Sequence, residues 1–103
     1  MAQDFERNFA NGVGTSGSTL RTANSDDAIV GITIANVHTA QITVEVFITN
    51  SSTDYHIIKD APIPVGSSLE LLAGNKVVME TTDVLKLTAS GATDIAVSIM
   101  EIT

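Results

Sequence analysis

The chain has 103 residues, 44% of them hydrophobic, with a formal net charge of −7 and no cysteine. That length supports one domain with one modest core, and the missing cysteines exclude disulfides, thiolate catalysis and Cys-ligated zinc. Five basic against twelve acidic residues argue against a nucleic acid or an anionic membrane as partner, because both are bound through Lys and Arg.

The first residues, Met1-Ala2-Gln3-Asp4-Phe5-Glu6-Arg7, are acidic and lack the apolar stretch of a signal peptide, so synthesis in the cytoplasm is the expectation. Residues 1–15 are rich in Asn and Gly, with Phe5, Phe9 and Val13 scattered among them, and read as an extended N-terminal arm. Residues 16–103 read as a single β-sandwich domain. Its first strand falls at 17–23. Ala28–Ala35 and Ile42–Thr49 follow; in the second, Ile42, Val44, Val46 and Ile48 alternate with Thr43, Glu45, Phe47 and Thr49, the period of a half-buried antiparallel strand. Further strands are expected at Tyr55–Lys59, Ser68–Leu72, Lys76–Glu80, Val84–Thr88 and Asp94–Ile102. The turns between them carry the Gly, Asn, Asp, Pro and Ser that turns require. Gly74-Asn75 signals a tight hairpin. Pro62 and Pro64 place their segment on a sheet edge or at a crossing between sheets. No stretch has helical spacing over three turns. The expected fold is therefore all-β: an antiparallel sandwich of jelly-roll or immunoglobulin-like type, with seven or eight short strands, the last of them central.

The chemistry-bearing patterns are sparse. Gly12-Val13-Gly14-Thr15-Ser16-Gly17 has the glycine spacing of a dinucleotide loop, but that chemistry needs a strand before it and a helix after it; a hinge between arm and domain fits better. Asp54, His56 and Asp60 lie close together, and Asp54 and His56 share a face if the strand is regular. A metal site needs three or four converging ligands, and exposed polar residues at a strand edge explain these. His38 falls in a turn. Asp26-Asp27 reads as a solvated turn rather than an acid–base pair. Calcium binding by Asp26, Asp27, Asp54 or Asp83 has no EF-hand spacing behind it, and Asn50-Ser51-Ser52 is a sequon in a polar turn. No catalytic residue, cofactor or metal site is assigned, and an enzyme is not expected.

Apolar residues on faces that alternation assigns to solvent are more informative. Phe47 opposes Val44, Val46 and Ile48. On the last strand Ile95, Val97 and Ile99 share one face, while Ala96, Met100 and Ile102 share the other. A lone small domain should leave one sheet face wet, so two-sided apolar strands point to contact between subunits. Phe5, Phe9, Phe47, Met100 and Ile102 are the interface candidates, with a homo-oligomer expected.

Phe9 through Thr15, Ser18–Thr22, Ala28–Val37, Ile42–Thr49, and above all Asp54-Tyr55-His56-Ile57-Ile58-Lys59-Asp60-Ala61-Pro62-Ile63-Pro64-Val65-Gly66-Ser67-Ser68-Leu69, closed by Lys76–Glu80 and Asp83–Leu87, resemble small β-sandwich virion proteins of tailed bacteriophages of the marine and cyanophage type. The resemblance implies a structural protein of the virion, a capsid decoration or cement protein or a neck or tail accessory, with other virion proteins and copies of itself as partners. It carries over no functional residue. The alternative is a carbohydrate-binding sandwich for host attachment; such sites stack sugars on exposed aromatics, and after the arm only Tyr55 and Phe47 could serve.

Overall fold

The computed structural model describes residues 3–23, 26–72 and 76–102. They form nine strands: β1 (Gln3–Val13), β2 (Ser18–Thr22), β3 (Asp26–Asn36), β4 (Ile42–Asn50), β5 (Thr53–Ile63), β6 (Ser68–Leu71), β7 (Val77–Met79), β8 (Val84–Ala89) and β9 (Thr93–Ile102). All pairings are antiparallel. One sheet of five strands runs β1-β9-β3, with β6 and β7 sharing the far side of β3; the other runs β2-β8-β4-β5. The chain enters the five-stranded sheet at β1, crosses to the four-stranded sheet at β2, and recrosses repeatedly until β9 returns beside β1. With β6 and β7 counted as one interrupted strand, this is the jelly-roll arrangement of two four-stranded layers. The sandwich expected from the sequence is present, and β9 lies between β1 and β3.

The core is aliphatic because the inward positions are. Ile42, Val44 and Val46 of β4, Leu85 and Leu87 of β8, and Ile95, Val97 and Ile99 of β9 are all buried between the sheets. Neither the three Phe residues nor the single Tyr enters the core. The run Ala28-Ile29-Val30-Gly31-Ile32 looks non-alternating, yet Ile29 and Ile32 are both fully buried. A register shift between Ile29 and Gly31 explains it: an extra residue at Val30 resets the phase of β3. Fully burying each Ile or Leu contributes about 1.5–3 kcal/mol.

Within residues 1–15, expected as an arm beside the domain, Gln3–Val13 are paired into the sheet as a strand. β1 is eleven residues long and runs along β9 from Gln3 opposite Ile102 to Val13 opposite Thr93, with one extra residue accommodated between Ala10 and Val13. Gly12 sits there with φ +64°, its N–H donating to Asp94 Oδ1 at 3.1 Å.

The edges at β5 and at β6 and β7 are guarded. β5, on the edge of its sheet, carries Pro62 and two register shifts, one leaving Asp60 at φ 55°; bulges and proline are common protections against edge-to-edge pairing. β6 and β7 are only four and three residues long. The β4–β5 hairpin turns on Ser51 and Ser52, at φ 50° and 67°. Two consecutive left-handed residues define a type I′ turn, for which Asn-Gly is preferred. Ser51→Asn combined with Ser52→Gly is therefore expected to raise stability by about 1 kcal/mol, read as a higher urea midpoint at unchanged slope. The hairpin expected at Gly74-Asn75 lies outside the described residues.

Candidate interaction surface

The outer face of the five-stranded sheet is ordered by strand register. On β1, Phe5, Arg7 and Phe9 stand opposite Met100, Ser98 and Ala96 of β9. Those in turn stand opposite Ala28, Gly31 and Thr33 of β3, and Thr33 is opposite Glu70 of β6. Since Ile95, Val97 and Ile99 fill the inner face, this second set faces outward. Phe5 is 79% exposed, Phe9 69% and Val78, next to Ala28, 67%. The Arg7 guanidinium carbon lies 4.6 Å from the Phe9 ring centroid, a cation–π contact between neighbouring outward residues. Large side chains thus form a ridge on β1, and Ala96 and Ser98 of β9 with Ala28, Gly31 and Thr33 of β3 form a trough that Met100 bounds at one end. At one end the trough widens into an open groove of about 600 Å³ beside Phe9, Asn11, Thr33, Ala35, Asp94 and Ala96.

β1 is inverted relative to an ordinary amphipathic strand: Phe5 and Phe9 point out, flanking Arg7, while Glu6 and Asn8 point in. Ala10 and Val13 reach the core, whereas the polar inward residues meet the edge of the other sheet. Asn8 Nδ2 donates to the Leu20 carbonyl, and Glu6 lies 3.8 Å from Arg21 Nη1. Arg21, on β2, is the centre of an ionic cluster joining the sheets: Nε donates to Asp27 Oδ2 at 2.9 Å and Nη2 to Glu101 Oε2 at 2.7 Å. The Asp27 side chain has no exposure. The guanidinium is held above its ordinary pKa, first by the hydrogen bond to Asp27, while burial works in the opposite direction.

The outer face of the four-stranded sheet is different. Phe47 is there, half-buried, its ring centroid 5.2 Å from that of His56. His56 Nε2 lies 3.0 Å from Glu45 Oε2. Tyr55 is 60% exposed; it pairs with Ile48, which packs against the core, and so lies on the opposite face of the strand from His56. The five interface candidates therefore do not make one surface. Phe5, Phe9 and Met100 share the five-stranded sheet's outer face, Phe47 lies on the opposite side of the sandwich, and the side chain of Ile102 is outside the described residues.

The remaining polar candidates have structural partners. Gly14-Thr15-Ser16-Gly17 is a turn closed by Gly17 N–H to the Gly14 carbonyl at 3.0 Å; it leads into β2, not a helix, and carries the chain from one sheet to the other. Asp26 is exposed, whereas Asp27 belongs to the Arg21 cluster. Asp54 accepts from Thr49 Oγ1 at 2.7 Å. Asp83 accepts from Asn50 Nδ2 and from the Glu80 N–H; these bonds, Asn50's first, hold its carboxyl below the usual range. The stabilisation they give is present above the unfolded carboxylate pKa and is lost as pH falls through the lower folded value. Asn36, buried, donates to the carbonyls of Ala40 and Ile63 and accepts from the His38 N–H, tying the β3–β4 turn to the end of β5. Among the described residues no three His, Cys, Asp or Glu converge as a metal site.

No protein-family model matches the chain, and no curated protein does. Among solved structures, the fold is similar to a chain from work titled "Bacillus endospore appendages form a novel family of disulfide-linked pili". The TM-score is 0.55 over 97% of this chain and 86% of that one, at 16% identity. At that identity the likeness is one of fold.

Proposed function

We propose that the protein is a small structural subunit of a phage virion, acting as a decoration, cement, neck or tail component through the packing of its sheet surfaces against other chains. The observation that carries this reading is the aromatic ridge of Phe5 and Phe9, 79% and 69% exposed on a domain whose core holds no aromatic residue. Exposed aromatics grouped on one sheet face are costly in an isolated domain and suit a contact. The place in a phage particle comes from the resemblance of Asp54–Leu69 and its flanking strands. The similar fold of a pilus chain is compatible with an assembling subunit, but the disulfides named for those pili are chemically impossible here, because this chain has no cysteine. Its assembly would rest on burial and polar complementarity alone.

Quantitative mass spectrometry of purified virions, followed by location of the chain in particle density, tests the reading. The expected result is a stoichiometric component with the five-stranded sheet's outer face against a neighbour. Absence from particles would overturn it.

A further inference from the structure

The outer face of the five-stranded sheet is complementary to itself, and we propose that its occupant is a second copy of this chain, packed face to face across a two-fold axis running along β9. This deepens the reading of the sheet surfaces as protein contacts and rests on it. Outward residues on β1 are large: Phe5, Arg7 and Phe9. Those at the matching positions of β3 are small: Ala28, Gly31 and Thr33, with Met100, Ser98 and Ala96 of β9 between them. A two-fold axis along β9 lays β1 of each copy over β3 of the other. Phe9 then meets the trough beside Thr33 and Ala96, and Phe5 meets the Ala28 and Met100 row. Such a contact is isologous: each copy supplies one ridge and one trough.

Two further observations favour a second copy over an unrelated chain. Gly31 has ordinary backbone geometry, and a Cβ built on it would meet nothing within 4 Å, so the centre of the small column is open. Arg7 of one copy falls above that opening. Glu70, exposed and opposite Thr33, lies one strand and one outward residue from Gly31, about 5 Å across and 7 Å along the sheet. That span is within reach of an arginine on the facing copy, while Glu70 and Arg7 of one chain are separated by β9 and β3. The contact therefore pairs Arg7 with Glu70 twice, in a protein otherwise strongly acidic.

Sedimentation velocity of the full chain across a concentration series tests the proposal, with circular dichroism confirming the fold of each variant. Wild type is expected to dimerise. Phe9→Asp removes a ridge residue, and Gly31→Arg fills the opening without touching the ridge; each should weaken the dimer by about thirty-fold or more, the scale of a hot-spot residue. Arg7→Glu and Glu70→Arg should each weaken it alone, and an equimolar mixture of the two should recover it as a heterodimer, because both ion pairs then form across the axis. A monomeric wild type, a dimer insensitive to Gly31→Arg, or failure of the mixture to recover would overturn the proposal. If the wild type is monomeric yet present in virions, the structural-subunit reading stands without this geometry. A Gly31-sensitive dimer missing from virions gives the reverse.

Discussion

Replacing Arg21 with Met is expected to cost about 3–5 kcal/mol of folding stability, the range for removing one partner of a buried ion pair. The size follows from what is left behind. Asp27 has a side chain with no exposure, and among the described residues Arg21 supplies both hydrogen bonds to its carboxylate. Glu101 is 14% exposed and also loses a short bond to the guanidinium. Glu6, at 3.8 Å and 42% exposed, contributes little, as partly solvated pairs do. A domain of this size has roughly 5–15 kcal/mol in total, so the single change approaches its limit. Urea unfolding of the pair Arg21→Met and Arg21→Met/Asp27→Leu separates the causes. If the penalty is the orphaned carboxylate, the double variant should regain most of the loss; equal instability in both would place the cost in lost packing instead.

Removing residues 1–12 is expected to abolish cooperative folding or to leave an aggregating remnant. A detachable arm would predict the opposite: a truncated domain melting within a few degrees of the full chain. The distinction rests on pairing. β9 is hydrogen-bonded to β1 on one side and β3 on the other, so truncation turns a central strand into an edge. That edge would be ten residues long, with Ile95, Val97 and Ile99 on one face and Ala96 and Met100 on the other, a long, largely apolar edge prone to pairing with another chain. Asn8 and Glu6 would also leave the Leu20 carbonyl and Arg21. Thermal melting with simultaneous light scattering reads both consequences.

The two halves of the molecule differed in legibility for a physical reason. β4, β8 and β9 were visible because one face of each meets the core, which forces β-branched or aliphatic residues into alternate positions. β3 could be found but not phased, because the bulge at Val30 breaks the alternation of an otherwise apolar run. β1 is hidden by its inversion: Glu6 and Asn8 face a sheet edge that demands polar partners, leaving Phe5 and Phe9 outside. Read locally, that pattern is an arm. Its strand character depends on Arg21 and β9, fifteen and more than eighty residues away in the chain. The Arg21 cluster was invisible for the same reason, since Asp27 looked like half of a solvated pair. Alternation puts Ala96, Ser98 and Met100 on one face of β9, as the register does, but only the register places Phe5 and Phe9 beside them. Phe47, chosen by the same alternation, proved to lie on the other sheet, where His56 covers part of its ring.

Hydroxyl-radical footprinting of the full chain, dilute and then concentrated, tests most directly whether the five-stranded sheet's outer face is the working surface. Oxidation of Phe5, Phe9 and Met100 should fall several-fold on concentration, while Tyr55, exposed on the other sheet, keeps its reactivity. Unchanged oxidation at Phe5 and Phe9, or protection centred on Tyr55, would contradict the account.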